Sequence, residues 1–155
     1  MQMVSAGAPV SLSYETWPTA NRIFYYPLLI PEACMVVKVG IVNGSAVSGD
    51  SDVGIYDAAG NRLINSGATA QSGTNGYQVY DIGNTPLERG MYYLALTYDN
   101  TTSRVRGIPF SGIIGGRMMG VWTELPGSFG LPAAAAFSAP SSGVVALASL
   151  MLEGF

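Results

Sequence analysis

The stretch Gly49–Gly67, "GDSDVGIYDAAGNRLINSG", places three aspartates (Asp50, Asp52 and Asp57) within eight residues and then supplies the elements of a hairpin. Read as a site it would bind a metal or run acid/base chemistry; read as framework it is two strands and a turn. "VGIYD" is a β-branched and aromatic run, and "AAGN" brings the Gly and Asn that a tight connection needs. In an extended strand Asp52 and Asp57 are an odd number of positions apart. They therefore point to opposite faces, roughly 16 Å from each other, and cannot share one ion. A calcium-binding helix–loop–helix motif fails too, because the glycine it needs at the sixth position falls at the fifth, Gly54, and Ile55 stands sixth. The stretch predicts a hairpin with Val53 and Ile55 facing inward and the aspartates capping the turn or facing solvent. A calcium site on Asp50 and Asp52 alone is the competing expectation.

The rest of the chain reads the same way. Short strand-forming runs fall at 24–30, 36–41, 52–57, 63–66, 77–82, 92–98, 105–110, 118–123 and 144–152, with Gly, Pro, Asn and Ser between them. No stretch reads as a long amphipathic helix. This pattern predicts an all-β sandwich or barrel. Three regions follow: an N-terminal arm (1–19), a sandwich body (20–110) and a Gly/Ala-rich segment with the last strand (111–155). In that last region only Arg117, Glu124 and Glu153 are charged. "GLPAAAAFSAPSSG" lacks the polarity of a solvated linker, so it is expected to lie as an extended arm on a neighbour. "GIIGG" (112–116) reads as a glycine-rich turn.

Of the 155 residues, 48% are hydrophobic and only 11% charged, more apolar surface than one small core absorbs, and this predicts burial against other chains. The 7 basic and 10 acidic residues give a net charge of −3 with no basic stripe, so nucleic acid is not an expected partner. The first residues carry no basic run before an apolar core, so no secretory signal is expected. The apolar run from Val144 is too short to span a bilayer as a helix. Cys34 is the single cysteine and reads as a small buried hydrophobe, with no internal disulfide to form.

With no histidine, the Ser-His-Asp and Cys-His nucleophiles, histidine zinc sites and the usual neutral-pH base are all missing. A paired-carboxylate glycosidase could draw on Glu15, Glu32, Glu88, Glu124 and Glu153, but Glu32 and Glu88 sit in turn-like sequence and read as solvated. No catalytic residue, cofactor or metal is assigned. Aromatic rings could stack on sugars, and Trp17, Tyr56, Tyr77 and Trp122 are the candidate glycan contacts, with Tyr25 and Tyr80 also available. Core or interface roles weigh more heavily for such rings. Two strands are apolar on both faces. In "FYYPLLI" the second face holds Tyr25 and Leu29; in "VVALASLML" it holds Val145, Leu147 and Met151. These five are the candidate interface residues, and they predict a homo-oligomer.

The runs "ANRIFYYPLLIP" (20–31), "VNGSAVSGDSDVGIYDAAGNRLINSGATAQSGTN" (42–75) and "LERGMYYLALTYDNTTSRVRG" (87–107) together resemble a group of small bacteriophage structural proteins. The likeness covers roughly Ala20 to Arg106, and its motifs are structural rather than catalytic. It implies a jelly-roll-like sandwich on the virion, in a capsid-decoration or tail-accessory position, with other virion proteins as partners and, from virion architecture, a trimer as the expected homo-oligomer. The expected function is therefore assembly without catalysis; the alternative is a glycan-binding adhesin domain for host recognition.

Overall fold

The computed structural model describes residues 12–153. In chain order its elements are β1 (Ser13–Thr16), β2 (Ile23–Ile30), β3 (Cys34–Val42), β4 (Asp50–Asp57), β5 (Arg62–Asn65), β6 (Thr69–Ala70), β7 (Tyr77–Leu87), β8 (Gly90–Tyr98), β9 (Arg104–Ser111), helix α1 (Gly112–Met118), β10 (Trp122–Glu124), β11 (Ser142–Ala146) and β12 (Ala148–Leu152). The protein is all-β, built from antiparallel sheets. One sheet has the order β10-β2-β8-β4-β5, with β6 also paired to β4; two three-stranded sheets, β1-β9-β11 and β12-β3-β7, complete the structure.

The core lies between the six-stranded sheet and the other two, in a sandwich-like arrangement. Alternation along the strands dictates which side chains enter it. Phe24, Tyr26 and Ile30 of β2, Val53 and Ile55 of β4, and Leu94, Leu96 and Tyr98 of β8 come from one side. Val39 and Ile41 of β3, Tyr80 and Ile82 of β7, Val105 and Phe110 of β9, and Val144 and Ala146 of β11 join them from the other. A register shift between Val36 and Lys38 resets the alternation of β3, which is how Val36 and Val39 both face inward. Trp17 packs edge-on against Phe24 and Tyr98, at 5.1 and 4.8 Å between ring centroids, and donates its indole N–H to the Arg22 carbonyl at 3.0 Å. Cys34 is half-buried against this core.

The opening hairpin forms as β4–β5. Asp57 caps its turn: one carboxylate oxygen accepts the Asn61 backbone N–H at 2.8 Å, and the other accepts from the Asn61 amide at 2.9 Å. These bonds hold the Asp57 carboxyl below its ordinary pKa. Gly60 supplies the positive φ, +88°, that the reversal requires.

The described part of the expected N-terminal arm (1–19) belongs to the sandwich. Residues 1–11 lie outside the described residues, but from Ser13 the chain is β1 of the sandwich, paired with β9, and Trp17 belongs to the core. The run 118–123, expected as one strand, instead contains the end of α1 and the start of β10. "GIIGG" is helical rather than a simple turn. Gly116 is what lets it pack, because a Cβ there would come within 2.6 Å of the Pro140 ring. Residues 144–152 make two strands, not one, divided at Leu147 between two sheets.

Candidate functional site

The outer face of the six-stranded sheet is covered by the chain itself. Residues 131–138 run across it as a strap, closing a second cluster in which Ile23, Tyr25, Tyr56, Ala95 and Leu131 are buried and Tyr93, Trp122, Ala135 and Phe137 pack around them. The Phe137 ring meets Tyr25 at 5.0 Å, Tyr93 at 4.9 Å and Trp122 at 6.1 Å. The Arg62 backbone N–H donates to the Ala133 carbonyl, Ala135 N–H to the Gly60 carbonyl, and Ser138 and Thr123 exchange both main-chain bonds. The Tyr56 hydroxyl donates to the Pro132 carbonyl at 2.6 Å, and the Arg62 guanidinium reaches the Leu131 carbonyl. The Glu124 carboxylate accepts from the Tyr25 hydroxyl and from Ala136 N–H, each at 2.9 Å. The Gly/Ala-rich segment expected on a neighbour therefore lies on its own sheet, where Leu131, Ala135 and Phe137 pack down while Ala133, Ala134 and Ala136 face outward.

Asp52 is the strap's buried anchor. The hairpin reading expected a solvated carboxylate; it is instead 2% exposed. It accepts from the Asn65 amide at 2.9 Å, the Ser66 hydroxyl at 3.3 Å and Leu131 N–H at 3.0 Å. Both oxygens are thus engaged by neutral donors of the chain, which leaves little for an ion shared with Asp50. Among the described residues, no three His, Cys, Asp or Glu side chains gather in metal-binding geometry.

These placements sort the sequence candidates. Tyr25 is sealed beneath the strap, and burial, with Tyr56 and Glu124 beside it, raises its pKa. Trp17, Tyr56 and Tyr80 are buried as well, so none offers a ring face to a sugar; the Tyr80 hydroxyl is paired with that of Ser51 at 2.8 Å. Trp122 is half-buried beside Phe137. Two groups remain at the surface, one on each layer.

The first group surrounds Leu29. Leu29 faces Met91 across the β2–β8 register. Gly120 approaches Pro27 in the middle of β2, where a Cβ would stand 3.1 Å from the ring, so the chain leaving α1 passes beside this strand. Ile114 and Met118 lie four apart on α1 and share its face. At 67%, 74% and 84% exposure, Leu29, Ile114 and Met118 are the three most exposed large apolar side chains among the described residues. Sequence reasoning singled out Leu29 alone. Ile114 fell in "GIIGG" (112–116), read as a turn, and Met118 in the strand expected over 118–123; the signal for both was the near absence of charge from Gly107 to Trp122, where Arg117 is the one charged residue.

The second group lies on the outer face of β12-β3-β7. Met151 is half-buried there, and Leu147, between β11 and β12, is exposed; Leu147 accepts from Val42 N–H, and Val42 pairs with Tyr77. Val145, expected at the same interface, lies instead on β11 in the β1-β9-β11 sheet, half-buried against the core. Tyr77 is 49% exposed. Its ring lies over Gly40, where any Cβ would collide with the phenol, and its hydroxyl pairs with the Ser149 hydroxyl. Gly40 in the middle of "VVKVGIV" was the sequence signal for this close approach. No protein-family model matches the chain, and no curated protein matches it at the level that would support a relationship.

Proposed function

We propose that the chain is a non-enzymatic structural protein of a bacteriophage particle, at the capsid or tail surface, that works by self-association and by attachment to other virion proteins. The observation that carries the reading is the high exposure of three large apolar side chains, Leu29, Ile114 and Met118. Where exposed apolar side chains gather into a patch, they mark a surface that another chain covers. Methionines at Met91 and Met118 suit an adaptable contact. The particle context rests on the resemblance of residues 20–106 to small phage structural proteins. The finer fold, a jelly roll, is favoured by the strand path: β2, β3, β4, β7, β8 and β9 alternate between the six-stranded sheet and the sheets opposite it. A homotrimer is the unit this reading carries, drawn from virion architecture. Gold-labelled antibody to the full chain, applied to intact particles, tests the reading. Label at a regular position on capsid or tail is expected; particles free of label from infected cells that contain the protein would overturn it.

A further inference from the structure

We propose that the outer face of the β12-β3-β7 sheet is a carbohydrate site, in which a hexopyranose residue stacks on Tyr77 and Lys38 and Asp81 hydrogen-bond its rim. The inference goes beyond the structural role above and stands on different residues.

A pyranose has an apolar face of C–H groups and a rim of hydroxyls. It is recognised by a flat ring held open to solvent, with donors and acceptors about one sugar width away. Tyr77 supplies the ring. Strand propensity favours a β-branched residue in the middle of β3, yet Gly40 stands there, and its missing side chain is what allows the Tyr77 ring to lie along the sheet. The Ser149 hydroxyl, opposite Gly40 on β12, engages the phenol oxygen. Gly40 below and Ser149 at the tip thus fix the ring before any ligand arrives, so binding orders little that is not already ordered.

The rim groups stand in the next row of the same face. Lys38 pairs with Asp81 across β3–β7 and with Met151 on β12, two residues along from the row of Val79, Gly40 and Ser149. That step is about 7 Å. Lys38 and Asp81 are both exposed, and one offers donors where the other offers acceptors. Asp81 is already oriented, since its Oδ1 accepts Gly83 N–H at 3.0 Å. Val79, 42% exposed and opposite Gly40, extends the apolar floor. An aromatic ring over a strand glycine also shields that glycine, which is a purely structural use of the same pair; the two uses differ in what they predict for binding.

Saturation-transfer difference NMR on the full chain, with maltotetraose, chitotetraose and β-1,4-galactotetraose as probes, tests the site. Saturation of the ring-face protons of at least one probe is expected. Its affinity should fall at least about tenfold in Tyr77→Ala, be kept or tightened in Tyr77→Trp, and weaken in Lys38→Ala and Asp81→Ala, whose exposed side chains leave the fold intact. Gly40→Ala should weaken binding by displacing the ring, with thermal melting reporting any loss of fold. No saturation of any of the three probes by the unaltered chain, or binding that Tyr77→Ala leaves unchanged, would overturn the proposal.

Discussion

Asp52 joins two parts of the chain that are far apart in sequence. Its buried carboxylate takes hydrogen bonds from Asn65 and Ser66 of the hairpin's second arm and from Leu131 of the strap, 79 residues away. Removing it orphans several donors in a place water reaches poorly, and each such donor costs about 1–3 kcal/mol. Asp52→Ala should therefore lower unfolding stability by about 2–4 kcal/mol, measured as a shifted urea midpoint. A change below about 0.5 kcal/mol would mean that the strap is held by its packing alone. Asp57 was legible from sequence because its partner is Asn61, four residues on, and turn chemistry is local. Asp52 was not, because alternation assigns a face to a side chain without saying whether another segment covers that face. The strap that covers it forms no strand of its own, and the residues it packs down, Leu131, Ala135 and Phe137, stand in a run of alanine and proline that reads as featureless.

The run Val144–Leu152 shows the same limit at the scale of an element. Read as one strand it is apolar on both faces and calls for a neighbour. It is in fact two strands: β11 pairs with β9, β12 pairs with β3, and Leu147 stands at the crossing. Val144 and Ala146 enter the core, with Ala148, Leu150 and Leu152 packed against it. Much of the apolar excess is thereby explained inside the chain, and the argument for assembly passes to the patch around Leu29. Most of the other strands were legible because alternation and turn residues are local. Strand β1, "SYET", was not, being short and polar, and α1 was not, because it is glycine-rich, with Gly116 serving a close approach to Pro140. Leu147 is held through its main chain, donating N–H to Arg106 and accepting from Val42 N–H, while its side chain is 40% exposed. Leu147→Pro should cost about 2 kcal/mol or more through the lost donor, whereas Leu147→Asp should cost less than about 1 kcal/mol. Thermal melting distinguishes them; an equal loss in both would show that the side chain, not the main chain, secures the crossing.

For the whole molecule the two layers present different outer faces. On the six-stranded sheet the strap covers Tyr25 and Tyr56, while Leu29 stands open on the same strand as Tyr25, and Ile114 and Met118 stand open on α1. Covering three such side chains contributes roughly 5–9 kcal/mol per chain before the cost of association, at about 1.5–3 kcal/mol for each fully buried large apolar side chain. That is enough to hold subunits together once those costs are met. The opposite face carries Tyr77 and stays open in an assembly built on the Leu29 end. The measurement that bears most directly on this account is the mass of the full-length chain by light scattering coupled to size exclusion at micromolar concentration. The account predicts an oligomer, a trimer by expectation, which Leu29→Asp together with Met118→Asp converts to a monomer with its melting temperature kept; an unaltered chain that runs as a well-behaved monomer would contradict it.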